Sequence, residues 1–228
     1  MPYIACINAR KCVNLQTKTY TMAGIKNLMF DLGGVIMDID RERSVRSFRR
    51  LGMKEPEKFL GDYGQTGPFG ALEEGLITPA EFHEQLRAII GPVATDDRID
   101  RAFDAFLVGI PVRRLAALRE LRQRYGVYLL SNTNAIMWDM RIRTSFMGEG
   151  RCREDYFDGI ATSFEARALK PGAAIFDYAS RRFGIRPDET VFLDDSAANV
   201  EAARGLGFHA LQVPPGREFT DILKEAGL

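Results

Sequence analysis

The stretch LMFDLGGVIMDID, residues 28–40, runs an apolar segment into Asp31, then two glycines, then two further aspartates. An apolar strand that ends on a carboxylate at a Gly-rich turn delivers that side chain to the carboxyl edge of a sheet, where α/β folds gather their ligands. The position two residues on is Gly33, so no second functional side chain stands beside the acid.

Outward from this stretch the pattern alternates. Lys26–Phe30 is a short apolar run ending at Asp31, and residues 112–125 carry Leu115, Leu118 and Leu121 at helical spacing with Gly126 as the stop. VYLL (127–130) leads into Ser131-Asn132-Thr133, a helix is expected after Asn134, and GIATS marks a strand near 159–163. A helix follows from Pro171 to about Arg182, then VFL (191–193) ends in Asp194-Asp195. Ser196 can cap a helix through Arg204, and FHALQV (208–213) reads as the last strand. Short apolar strands alternating with amphipathic helices define an α/β fold, a doubly wound parallel sheet with a Rossmann-like core. Short polar side chains then gather at three strand ends: Asp31, Ser131-Asn132-Thr133 and Asp194-Asp195.

Residues 41–109 break the alternation and read as helices near 43–51, 55–62, 78–90 and 97–108. In ITPAEF, Thr78 is a good N-cap, Pro79 suits the first helical position, and Glu81 completes a capping box. The expected organisation is therefore a core of 25–40 and 110–228 with a small helical cap, 41–109, inserted after the first strand. GQTGPFG (64–70) reads as a polar, flexible turn over the site. The arginines at 41, 43, 46, 49 and 50 suit a solvated helix face, with at most one reaching a substrate.

Composition narrows the function classes. The 228 residues are 46% hydrophobic and 27% charged, with equal numbers of acidic and basic side chains. Such a balance gives no bulk electrostatic reason for binding nucleic acid or an anionic membrane. Three cysteines and two histidines offer neither a disulfide framework nor a zinc-ligand spacing, which suits a reducing cytoplasm. No apolar run approaches the roughly 20 residues of a membrane span. Residues 1–24 form a leader without hydrophobic periodicity, whose apolar piece YIACI is shorter than the roughly 7–15 residues of a signal-peptide core. No role is expected of it.

Four pieces in order, FDLGGV (30–35), LLSNT (129–133), LKP (169–171) and LDDSAAN (193–199), resemble the haloacid dehalogenase-like hydrolase superfamily. The first motif with its following DID, and an ExGxIT-like stretch before the helix at 78, are similar to its sugar-phosphate phosphatase subgroup, α-glucose-1-phosphate phosphatase-like. The resemblance implies a Mg²⁺-dependent phosphatase of small phosphorylated metabolites, working through an aspartyl-phosphate intermediate.

The residue chemistry agrees. Asp31, ionised at neutral pH, is a nucleophile for phosphorus. Ser131 and Asn132 can offer a hydroxyl and backbone N–H groups to phosphate oxygens, and Lys170 a compact cation near both nucleophile and phosphate. Adjacent Asp194 and Asp195 repel each other unless a hard cation sits between them and Asp31; Mg²⁺ suits such oxygen ligands. The resemblance adds the Gly33 carbonyl as a metal ligand; Asn199, one turn into the following helix, is placed to support the acidic loop or Lys170.

Gly33 departs from the usual pattern of the superfamily's phosphatases, in which a second aspartate protonates the leaving group. General acid–base help of that kind is typically worth about 10²–10⁴ in rate. Two expectations follow: substrates with easier leaving groups, such as anomeric or aryl phosphates, or a proton borrowed from Asp38, Asp40, a lid residue such as His83, or metal-bound water. Asp40 serves equally as the N-cap of the first lid helix. Alternatives to a phosphatase are a dehalogenase-like, carbon-centred hydrolase and a non-catalytic binding member of the family. Neither substrate nor oligomeric state is legible in the sequence.

Overall fold

Strand β1, Asn27–Phe30, occupies the centre of a five-stranded sheet. The computed structural model describes residues 24–92 and 94–228; all but the last residue of the leader 1–24 therefore lies outside the described residues. After β1 come β2 (Asp38–Ile39), helices α1 (Arg41–Leu51), α2 (Gly67–Glu73), α3 (Pro79–Ile90) and α4 (Asp96–Asp104), and β3 (Leu107–Gly109). The chain continues with α5 (Val112–Leu121), β4 (Gly126–Ser131), short helices α6 (Ala135–Met137) and α7 (Arg143–Ser145), β5 (Gly159–Thr162) and α8 (Ser163–Ala166). It ends with α9 (Ala173–Phe183), β6 (Thr190–Asp194), α10 (Ala197–Gly205), β7 (His209–Gln212) and α11 (Phe219–Glu225).

The sheet order is β5-β4-β1-β6-β7, and every pairing in it is parallel. From β1 the chain builds outward on one side through β4 and β5, then crosses to the other side for β6 and β7. The switch in direction falls at β1, so the crevice for a ligand opens where β1, β4 and β6 end. Alternate strand residues feed two apolar layers. Leu28, Phe30, Val127, Leu129, Val191 and Leu193 pack on one side, and Met29, Leu130, Ala161 and Phe192 on the other, with α9 and α10.

The helices of 41–104 have an aromatic centre. Phe69 meets Phe48, Phe82 and Phe103 edge to face at centroid distances of 5.1, 5.2 and 5.0 Å. The capping box at Thr78 and Glu81 is present. Strands β2 and β3 pair antiparallel, so the chain enters and leaves the helical insertion through one short ribbon.

Several local expectations are corrected. Residues 55–62 form only a 3₁₀ turn at Pro56–Lys58, and the second helix lies later, at Gly67–Glu73, within the stretch expected to be a flexible turn. Pro68 sits in the first turn of that helix, where its missing N–H costs nothing, and Phe69 is fully buried. The fourth helix ends at Asp104, because Leu107–Gly109 is drawn into the ribbon. Beyond β7 the chain adds α11, outside the expected pattern of elements, whose Phe219 packs edge to face on Phe30 at 5.2 Å.

Candidate active site

Asp31 is placed by the sheet itself. Its backbone N–H donates to the Leu193 carbonyl at 2.8 Å, extending the β1–β6 register by one residue beyond the strand. The carboxylate turns back to accept from the Leu32 N–H at 2.7 Å and from Lys170 Nζ at 2.8 Å. That same ammonium donates to Asp194 Oδ2 at 2.7 Å and to the Leu130 carbonyl at 3.1 Å. Lys170 thus joins the ends of β1, β4 and β6 through one buried cation. Burial alone would lower its pKa, but the charges of Asp194 and Asp31 outweigh that and hold it above the ordinary lysine value.

Asp194 is fully buried and its oxygens are all engaged. Oδ1 accepts from the Ser196 N–H at 2.9 Å and from Asn199 Nδ2 at 3.0 Å. Asn199 therefore steadies the acidic loop rather than Lys170. The Asn132 side chain is occupied too: Nδ2 donates to the Lys170 carbonyl at 3.0 Å and Oδ1 accepts the Lys170 N–H at 2.9 Å. It locks the lysine's loop against the end of β4 and leaves only its backbone for a ligand. The Ser131 hydroxyl makes one long contact, 3.4 Å to the Asn132 carbonyl.

Asp31, Asp194 and Asp195 each present a carboxylate oxygen, all within 4.8 Å of one another. Burial, offset by Lys170 but reinforced by Asp194 and Asp195, pushes Asp31 up to about 7. Burial and then the charge of Asp194 push Asp195 up to about 6. Three half-compensated anions around one point, one of them at a strand switch, are what an all-oxygen divalent cation site looks like before charge balance. The donor set fits Mg²⁺. Gly34 makes the approach feasible: its φ is +72°, and a Cβ there would stand 2.2 Å from Asp195 Oδ2.

The cavity above Asp31 is roofed by Asp62–Gln65, Glu73 and Phe103 from the helical insertion and floored by Ser131, Lys170 and Asp195. All of the sequence-derived site residues line it except Asp194, which is buried directly beneath. The borrowed-proton candidates do not. Asp38 accepts from Arg114 at 2.7 Å, Asp40 caps α1 through the Arg43 N–H at 3.3 Å, and His83 is buried against Asp100 at 2.6 Å. None of the five lid arginines lines the cavity; Arg41 instead donates to the Leu60 carbonyl at 2.6 Å.

Glu73 is the residue that sequence reading missed. It is 8% exposed, and burial followed by the charge of Asp31 raises its carboxyl to about 8. It opens the ExGxIT-like stretch, so a signal existed. What the sequence withholds is the direction of its side chain, because GQTGPFG (64–70) has the pattern of a turn and not of the start of a helix.

The parallel sheet, its switch point at β1 and the Lys170-bridged carboxylates at the strand ends together define a class. A family model of haloacid dehalogenase-like hydrolases matches residues 25–207, and the chain belongs to that family. Among individual relatives, it is 37% identical over 199 residues to the D-ribitol-5-phosphate phosphatase of Bacteroides thetaiotaomicron, covering 87% of this chain and 97% of that protein. A wild-type haloacid dehalogenase-family enzyme from the same organism, solved with magnesium and inorganic phosphate, superposes with a TM-score of 0.81 at 41% identity over 87% of this chain and 98% of the other. A haloacid dehalogenase-like hydrolase of Porphyromonas gingivalis gives 0.83 at 33% identity, over 89% and 98%. Among the described residues no helix is long and apolar enough to cross a membrane.

Proposed function

We propose that this chain is a Mg²⁺-dependent phosphatase that hydrolyses a small phosphorylated metabolite of the sugar-phosphate class through an aspartyl-phosphate intermediate. The observation that carries the reading is Lys170, held at 2.8 Å from Asp31 and 2.7 Å from Asp194, beside a third carboxylate at Asp195. Asp31 attacks phosphorus. Lys170 offsets part of the cost of burying that carboxylate, orients it, and presents positive charge toward the equatorial oxygens. Ser131 and the backbone at Asn132 face the same oxygens from the end of β4. Asp31, Asp194, Asp195 and the Gly33 carbonyl would hold the metal, which when bound neutralises charge on the nucleophile and the phosphoryl group. Residues 41–109 act as a cap whose roof excludes water and selects the substrate. An exposed free thiol at Cys152 suits a cytoplasmic setting.

Carbon-centred chemistry needs no cation among three acids, and a purely binding role needs no nucleophile salt-bridged to a buried lysine. The two expectations left by Gly33 also separate. The D-ribitol-5-phosphate phosphatase relative is named for a primary alkyl ester, whose alkoxide leaving group requires a proton. Its likeness favours a borrowed proton over an easy leaving group, and an alditol or sugar phosphate over an aryl ester. The test is a phosphate-release panel of sugar, alditol, nucleotide and aryl phosphates with Mg²⁺. Turnover of sugar or alditol phosphates is expected, abolished by EDTA, restored by Mg²⁺ and lost in Asp31→Asn. Activity that survives Asp31→Asn or persists in EDTA sinks the reading.

A further inference from the structure

Position 33 supplies no acid, and Asp38, Asp40 and His83 are bonded elsewhere, so the side-chain acids left to consider are those in the roof of the cavity. Two carboxyls of the helical insertion line that cavity, Asp62 and Glu73. Asp62 is exposed and lies 3.7 Å from Arg41. Glu73 is 8% exposed, lines the cavity, and among the described residues is in no salt bridge.

Its backbone is fixed on both sides. The Glu73 carbonyl accepts from Ser163 Oγ at 2.6 Å, and that oxygen accepts the Thr133 N–H at 2.9 Å, so one hydroxyl ties the end of α2 to the loop that follows Ser131. Gly75, with φ +69°, passes so close to Phe164 that a Cβ would stand 2.3 Å from its carbonyl oxygen. The insertion is thus pinned to the core at the residue whose side chain lines the cavity together with Asp31. A carboxyl that lines the same cavity as Asp31, with no described cation bound to it, is available to whatever enters there.

We propose that Glu73 is the proton donor of this enzyme, its carboxylic acid meeting the leaving-group oxygen of the substrate. The proposal rests on the phosphatase reading above. As an Asp31 oxygen bonds to phosphorus, the bond from phosphorus to the ester oxygen breaks. Its electron pair stays on that oxygen, which takes the Glu73 proton and departs as an alcohol. The Glu73 carboxylate then removes a proton from the water that attacks the phosphoaspartate. The bond from Asp31 to phosphorus breaks, giving inorganic phosphate, a free Asp31 carboxylate and a reprotonated Glu73. Burial of the Glu73 side chain favours the uncharged acid form at the start of this cycle.

The test compares wild type with Glu73→Gln in pre-steady-state reactions with Mg²⁺ and substrate in excess, so that the first turnover and the steady state are both read. The probes are D-ribitol 5-phosphate, or the alkyl phosphate that ranks highest in the panel, and 4-nitrophenyl phosphate, whose leaving group needs no proton. Alkyl ester cleavage is expected to fall by about 10²–10⁴. The first turnover of 4-nitrophenyl phosphate is expected to fall less than tenfold, as a nitrophenol burst followed by a slow steady state in which phosphoenzyme accumulates. Equal losses on both esters, or no loss on either, overturn the proposal. Stabilisation by Mg²⁺ with inorganic phosphate checks that the variant folds. If it does not, Glu73→Met, which removes the buried polar group, is judged by the same outcomes. A wild type inactive on every ester refutes the phosphatase reading, whereas an active wild type with an indifferent Glu73→Gln refutes only this proposal.

Discussion

Gly33 and Gly34 stand side by side after Asp31, yet they answer to different constraints. At Gly33 the backbone is not left-handed, and a Cβ would make an ordinary 3.5 Å contact with Ile39. Gly34 has φ +72° and would drive a Cβ into the Asp195 carboxylate at 2.2 Å. A left-handed conformation costs a residue other than glycine roughly 1–2 kcal/mol before any clash. Gly33→Ala should therefore leave Tm within a few degrees of wild type. Gly34→Ala should lower Tm and weaken the stabilisation by added Mg²⁺, because Asp195 must move; thermal melts with and without the metal read both. The two glycines are indistinguishable as letters. Only the acid loop more than a hundred residues later in the chain, folded against one of them, tells them apart.

At the scale of elements, α2 is the instructive case. Two glycines, a proline and polar neighbours gave GQTGPFG the look of a mobile turn. Tertiary packing overrides it: Phe69 is fully buried among Phe48, Phe82 and Phe103, and that burial offsets the poor helix propensity of its flanks. Phe69→Ala should cost about 3–5 kcal/mol, measurable by urea denaturation. Phosphate release should fall with it, since α2 carries Glu73 into the cavity. A cost below 1 kcal/mol would mean that the insertion does not depend on this aromatic centre. The capping box at Thr78 and the strands ending at Asp31, Ser131 and Asp194 were readable, because caps and short buried strands are local patterns.

Across the whole molecule, Arg114 links distant parts of the chain. It donates to Glu218 through Nε at 2.9 Å and Nη2 at 3.0 Å, to Asp38 at 2.7 Å and to the Ile36 carbonyl at 3.2 Å. The loop beyond Asp31, α5 and the start of α11 are thereby joined. The hydrogen bond from Arg114 leads the forces that hold the Glu218 carboxyl down at about 2. Since the folded value lies below the ordinary 4.5, the stabilisation is fully present above pH 4.5 and is lost as pH falls toward 2. Arg114→Met should cost about 1.5–3 kcal/mol near neutral pH, and its gap in Tm from wild type should close between pH 4.5 and 2. A gap that stays constant across that window would show that the pair does not titrate with folding.

The sequence by itself determined the alternating α/β order, the three strand ends that carry acids, hydroxyl and amide, and the departure at Gly33. These are signals of local periodicity and of residue type at fixed spacing. Only the tertiary structure decided what those residues do to one another. Asn132 is spent on Lys170, Asn199 on Asp194, His83 on Asp100, and Glu73 arrives over Asp31 from a helix that its own letters disguised. For Asn132, His83 and Glu73 the physical reason is the same: what surrounds a polar side chain in a buried site is chosen by the packing of segments apart in the chain, and no short window of neighbouring residues contains that information. The stretch LMFDLGGVIMDID thus places a carboxylate at a strand end with no side chain two residues on, and the fold decides which groups share its cavity.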